Sequence, residues 1–234
     1  LGDVYKRQAS EVLYNQREKF DVPVARSAEL LVAQLDRFER LLEDLLEVSR
    51  FDAEVAVLDA ADFDIVALVK RCVSDLIIEE DEKGSAINTK SDNSVITIRG
   101  DIRRIERIMR NLLSNALDHC EGTPIEVQIV STETEVAIGV RDFGTGLDES
   151  SLIRVFDRFW RADPSRARVR GGTGLGLSIA LEDARLHNGE LDAWGRPGKG
   201  AHFVLTLPRV AGEYISGRPL KAQPSDFHEE TFLQ

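Results

Sequence analysis

Long hydrophobic runs are missing from this 234-residue chain, and no stretch reaches the roughly 20 apolar residues that a bilayer-spanning helix needs. The start also lacks the charged and apolar regions of a signal peptide. Cysteine is scarce. Cys72 and Cys120 are the only two, both inside helix-like apolar patterns, which argues against a disulfide framework or a thiolate metal site and fits a reducing compartment. Positive charge is short as well: 30 Lys and Arg against 41 Asp and Glu leave a formal charge of -11, which disfavours a surface for nucleic acid, since phosphate contacts need a basic patch. What is present is enough for a folded core, with 42% hydrophobic residues.

Between Val24 and Ser49, Leu31, Leu35, Phe38, Leu42 and Leu45 alternate steps of four and three, the spacing of a supercoiled helix seam. Leu30, Leu41 and Leu46 widen that stripe, which favours a multi-helix bundle over a two-stranded coil; a lone amphipathic helix packed on its own domain is the simpler alternative. Asp21 and Pro23 supply a helix start, and Ala9 to Lys19 reads as the end of a preceding helix, so a helical hairpin is expected. The chain opens on Leu1 with a helical pattern running by Ala9, from which we expect the natural chain to extend further upstream and Leu1 to Gln8 to be foreign sequence.

From Asp62 the pattern changes. Phe63 to Ile65 reads as a short strand and Ile65 to Lys83 as an amphipathic helix ending at Gly84. Ile87 to Lys90 and Val95 to Ile98 read as strands, Asp101 to His119 as a helix, and Ile125 to Ile129 with Val136 to Val140 as a hairpin. A helix over Leu175 to His187 and strands over Glu190 to Trp194 and Ala201 to Leu207 complete an α/β sandwich, so the chain as a whole is α+β. The glycines and prolines beyond Pro208, without apolar periodicity, predict a mobile tail over 209–234.

Two glycine turns carry the strongest chemical signal. Asp142-Phe143-Gly144-Thr145-Gly146 follows a strand, and Gly171-Gly172-Thr173-Gly174-Leu175-Gly176-Leu177 precedes a helix. Glycines let backbone amides approach a phosphate chain, and a helix N-terminus offers it unpaired N–H groups. Neither segment matches the dinucleotide fingerprint or a P-loop. Asn111 and Asn115, four apart, share one helix face and can offer neutral oxygens to a magnesium ion whose charge is balanced by phosphates; a pair of solvent-exposed asparagines is the plain alternative.

In order and spacing these segments resemble the N, G1, F and G2 boxes of sensor histidine kinases, relatives of gyrase and Hsp90. Asn111 to Asn115 is similar to the N box, Asp142 to Gly146 to the G1 box, Phe156 to Trp160 to the F box, and Gly172 to Leu177 to the G2 box, with Gly198-Lys199-Gly200 as the last glycine turn. Phe159 to Arg166 and Glu182 to His187 narrow the resemblance to the actinobacterial branch, over about Ala9 to Pro208. The resemblance implies a partial dimerisation bundle over 9–55, from a dimeric four-helix bundle, and a two-layer ATPase sandwich over 60–208. It implies ATP and Mg²⁺ as cofactors, a response regulator and a second copy of the chain as partners, and a cytoplasmic location with the full-length protein anchored in the plasma membrane.

By the same resemblance Asp142 receives the adenine amino group, Leu147 lines the adenine pocket, and His119 lies against base or phosphate. Gly144, Gly146, Gly172, Thr173, Gly174, Leu175, Gly176 and Leu177 border the nucleotide; Asn115 holds the metal with help from Asn111; and Arg158 is the lid cation nearest the γ-phosphate, with Asn111, Asn115 and Arg158 serving the chemistry. Phe156, Phe159 and Trp160 anchor the lid by packing, and Arg161, Arg166, Arg168 and Arg170 form a basic run that either closes over ATP or faces solvent. The chain departs from many family members in carrying Asp118-His119 where a phosphate-binding lysine is usual. It also lacks the His-Glu acceptor pair: its four histidines are His119, His187, His202 and His228, and the acceptor is expected upstream of Leu1. A related-fold ATPase or serine kinase, and a nucleotide-binding interaction module without catalysis, are the alternatives.

Overall fold

The computed structural model of the chain describes residues 21–53, 56–79, 86–162 and 173–225, in two units divided between Ser49 and Arg50. The expected first helix over Ala9 to Lys19, the helix end at Lys83 and Gly84, and Gly171, Gly172, Arg166, Arg168, Arg170 and His228 lie outside the described residues. In the first unit a helix, α1 (Val22–Asp52, its last turn in the second unit), follows Asp21 with Pro23 in its first turn and leaves Leu31, Leu35, Phe38, Leu42 and Leu45 exposed along one seam.

The second unit alternates strands and helices: β1 (Ala61–Asp64), α2 (Ile65–Glu79), β2 (Ile87–Ser91), β3 (Thr97–Gly100), α3 (Ile102–His119), β4 (Ile125–Ser131), β5 (Glu135–Arg141), α4 (Glu149–Arg154), α5 (Gly176–Leu186), β6 (Glu190–Gly195) and β7 (Ala201–Pro208). A five-stranded sheet runs β2-β4-β5-β7-β6, antiparallel except where β2 pairs parallel with β4, and β1 pairs with β3 apart from it. Asp101 starts α3 by accepting from the amides of Arg103 and Arg104, satisfying donors that a helix end leaves orphaned. The apolar face of α3, Ile105, Ile108, Met109, Leu112, Leu113 and Ala116, then buries against the sheet together with Ile65, Val69 and Cys72 of α2.

Strand β3 starts two residues later than the sequence pattern suggests. Ile96 is held outside the ladder, its amide on Asp64 Oδ1 and its carbonyl accepting from Ile65 N–H, so it closes the start of α2 instead. The helix α4 was not foreseen; six residues, capped by Asp148 through Ser151 N–H, are too few to show a period.

Beyond β7 the chain expected to be a mobile tail is described as far as residue 225, and it runs along the sheet with specific contacts. Glu135, 3% exposed, accepts from Ser216 N–H and Oγ at 2.8 and 2.6 Å on one oxygen and from Thr132 and Thr134 hydroxyls at 2.7 Å on the other. Arg218 pairs with Glu190 and Asp192, and His202 Nδ1 donates to the Ala222 carbonyl at 2.7 Å. This strap lies over β5 and β7, every residue of which is buried. The four donors hold the Glu135 carboxyl down to about 2, from 4.5, the Ser216 hydroxyl contributing most. A depressed carboxyl stabilises above its unfolded value and loses that contribution as pH falls through its folded one. The strap contact is therefore intact at neutral pH and is lost between about pH 4.5 and 2. Glu135→Ala removes the acceptor shared by Ser216, Thr132 and Thr134; because those three residues are exposed their donors return to water, at a cost of about 0.5–1.5 kcal/mol. Thermal unfolding at pH 7 should show that loss, and at pH 2 the variant and the unsubstituted chain should converge.

Candidate functional site

The site forms where β5, α3 and the turn between β6 and β7 end side by side. Gly144 carries no side chain because the carbonyl of His119 occupies the space: a Cβ there would lie 1.7 Å from that oxygen. Gly146, at φ +71°, would drive a Cβ to 1.8 Å from the Arg196 carbonyl. Hydrogen bonds from Thr145 N–H to His119 O, Gly198 N–H to Thr145 O, and Gly200 N–H to Gly144 O lace the three segments together. These glycines were expected to let amides approach phosphate; the described contacts give them the task of letting three backbones meet.

That meeting fixes Asp142. Only 1% exposed, it accepts from Gly144 N–H at 3.0 Å and Ala201 N–H at 3.3 Å, both on Oδ1, and among the described residues Oδ2 is left for a ligand donor. Burial pushes its carboxyl up, opposed by those two amides and by His119 and Arg141 nearby. A buried carboxylate with one oxygen uncommitted is suited to a neutral N–H donor from outside. Leu147 packs half-buried between this turn and Gly195, and His119 stands half-buried at the end of α3.

The two α3 amides differ in their surroundings. Asn111 Nδ2 donates to the Gly176 carbonyl at 2.9 Å, tying α3 to the first turn of α5. The side chain of Asn115, half-buried one turn on, makes no hydrogen bond among the described residues, so its amide oxygen is available. The start of α5 has no side-chain cap: Leu175 is the fully buried N-cap residue, and Thr173 Oγ1 instead accepts from Leu175 N–H. The Asn111–Gly176 bond sets this first turn, with Gly174 and Leu177 flanking it, against α3 one turn before Asn115.

The F-box aromatics divide their work. Phe156 packs edge-on to Phe203, centroids 6.3 Å apart, and Trp160 packs half-buried on the core beneath the Arg154 guanidinium. Phe159 departs from the expectation: its ring is 59% exposed, and it holds through its backbone, at φ +63°, with its N–H on the Gly174 carbonyl at 2.9 Å. That bond ties the F-box segment to the residue just before Leu175. Arg158 forms a two-pronged pair with Asp52 at 2.7 and 2.9 Å. Arg161 is described and half-buried. Among the described residues no group of three or more His, Cys, Asp or Glu could hold a metal.

Residues 100–211 match the family of histidine kinase-, DNA gyrase B- and HSP90-like ATPases. The chain is 46% identical over 218 residues to the sensor histidine kinase MtrB of Mycolicibacterium paratuberculosis, covering 93% of this chain and 39% of that protein. It is 45% identical to the MtrB of Mycobacterium tuberculosis, with 93% and 38% covered, and 40% identical to the signal transduction histidine-protein kinase AfsQ2 of Streptomyces coelicolor, with 81% and 34% covered. The chain thus spans about two fifths of the length of the MtrB relatives. In fold it is similar to full-length ShkA, solved in complex with AMPPNP, at TM-score 0.72 and 24% identity over 93% of this chain and 46% of that one.

Proposed function

Because this chain belongs to the sensor histidine kinases and carries their ATPase domain, we propose that it binds ATP·Mg²⁺ at the Asp142 site and serves as the catalytic region of a two-component kinase. The γ-phosphate passes to a histidine outside the four of this chain, with ADP leaving, and then to the aspartate of an MtrA-like response regulator. The observation that carries this reading is Asp142, a buried carboxylate with Oδ2 open at the mouth of the glycine turns. Its free oxygen accepts the adenine amino group, Leu147 covers the base, and the phosphates run toward the uncapped start of α5.

The donor set fits magnesium brought in by the nucleotide. Asn115, helped by Asn111, would hold it through amide oxygens, and when bound it supplies the charge neutralisation that a lysine at the position of His119 would otherwise share. Released from Asp52, Arg158 is the cation for the charge that spreads over the transferring group. The exposed seam of α1 supports a homodimer built through the bundle. Among the described residues no helix is long and apolar enough to cross a membrane; membrane attachment of the full-length protein belongs to this proposal.

Nucleotide choice tests the reading. Guanine presents a carbonyl where adenine presents an amino group, so Asp142 Oδ2 would face an acceptor with no proton between them. Calorimetry should find ATP bound at least about tenfold tighter than GTP, the value of one hydrogen bond to a charged group. Equal affinities would remove Asp142 from base recognition.

A further inference from the structure

Two turns from the proposed phosphate end, α3 and α5 share a buried ionic cluster that no nucleotide would touch. Asp183, fully buried on α5, accepts from Arg107 Nε and Nη2, both at 2.8 Å, and from Arg104 Nη1 at 2.9 Å. Such a two-pronged guanidinium pair fixes direction as well as distance. Below it, His187 accepts from Asp101 N–H on Nε2 at 3.0 Å and so donates from Nδ1 to the Asp183 carbonyl at 2.6 Å.

The spacing along the two helices is matched. Asn111 lies seven residues after Arg104, and Gly176 seven residues before Asp183, so the antiparallel helices bring the second pair together once the first is set. At Gly176 the approach is close: a Cβ would lie 2.9 Å from Asn111 Oδ1, and Asn111 Nδ2 already holds the Gly176 carbonyl. A one-residue slip of α5 would swing the Asp183 side chain about 100° off this face and break both contacts.

We propose that Asp183, Arg104 and Arg107 are positioning residues for the triphosphate end of the site: their clamp fixes the register of α5 on α3, and with it the spacing between Asn115 and the first turn of α5. This rests on the reading of that end as the phosphate and metal site. The adenine end is built from β5 and the turn before β7 and is laced to the end of α3 through the His119 carbonyl, away from the Asn111–Gly176 contact. The clamp therefore acts on one end of the nucleotide and spares the other.

Arg107→Lys and Asp183→Asn in the full chain test this by calorimetry with ATP·Mg²⁺ and with adenosine, alongside thermal unfolding. Arg107→Lys keeps the charge and loses the fork. It should remain folded, bind adenosine as the unsubstituted chain does, and bind ATP·Mg²⁺ about tenfold more weakly, the order of loss expected from a small misplacement. Asp183→Asn leaves two guanidinium groups without their buried anion; if it does not fold, Arg107→Lys decides alone. Unchanged ATP·Mg²⁺ affinity in folded Arg107→Lys, or parallel losses for ATP·Mg²⁺ and adenosine, overturns the proposal while leaving the functional reading standing. Failure of the unsubstituted chain to bind ATP overturns both.

Discussion

Replacing Asp142 by Asn weakens ATP binding about tenfold to a hundredfold, the 1.5–3 kcal/mol of a charge-assisted hydrogen bond. The two oxygens of the side chain have separate duties. Oδ1 is committed to the amides of Gly144 and Ala201, so an asparagine keeping those bonds presents NH₂ where Oδ2 was, donor against donor for the adenine amino group. The substitution leaves the fold standing. Burial raises the Asp142 carboxyl, so the folded protein favours its protonated form; stability from that shift is fully present below the ordinary value of 3.8 and is lost as pH rises through the raised one. At pH 7 the neutral amide removes that cost, and the Asp142→Asn variant should unfold no earlier than the unsubstituted chain. Lower ATP affinity together with an undiminished Tm is the expected pair of results; unchanged affinity in the folded variant would take the residue out of adenine recognition.

Asn115→Ala separates metal-dependent from metal-free binding. Its amide makes no hydrogen bond among the described residues, so removing it disturbs little of the protein, whereas Asn111 is engaged with the Gly176 carbonyl. ATP titrated with Mg²⁺ should bind the variant about tenfold more weakly, and ATP titrated with a chelator should bind both proteins alike, because the residue reaches the phosphates only through the cation. Asn111→Ala should behave differently, weakening both titrations and lowering Tm. If Asn115→Ala leaves the magnesium dependence as it was, Asn115 is not a metal ligand.

Local signals made most of the fold legible. The apolar period of α3, its Asp101 cap and the alternation of Ile125, Val127 and Ile129 sit close together in the chain and need no distant partner to be read. The strap over 209–225 was not legible, because its hold on the sheet lies in polar contacts such as Ser216 with Glu135, 81 residues apart, and in no apolar period. The same limit applies in the site. Asp142, Asn111 and Asn115 stand in short motifs, but the commitment of Asn111 to Gly176 spans 65 residues and the capture of Arg158 by Asp52 spans 106. Asp183 did leave a signal. It sits among Ile179, Ala180 and Ala184 on the buried side of α5, where a carboxylate requires a cation, and Arg104 and Arg107, three apart on α3, supply the matching pair.

Incubation with γ-labelled ATP and Mg²⁺ tests whether the chain serves as the ATP-using part of a histidine kinase with its acceptor elsewhere. The chain is incubated alone and with a separate dimerisation domain that carries an intact acceptor histidine. Phosphoryl transfer needs an in-line nucleophile near the γ-phosphate, and positioning supplies most of what a protein offers this reaction. His187 is buried against Asp101 and Asp183, and His202 is buried in β7 with its Nδ1 on Ala222. The expected result is acid-labile, base-stable label on the added domain, formed slowly because covalent linkage no longer raises the local concentration, and none on the chain itself. Label mapped to His119, His187, His202 or His228 would place the acceptor within this chain, and ATP binding with no transfer to any acceptor domain of this family would leave the chain a nucleotide-binding module and no kinase.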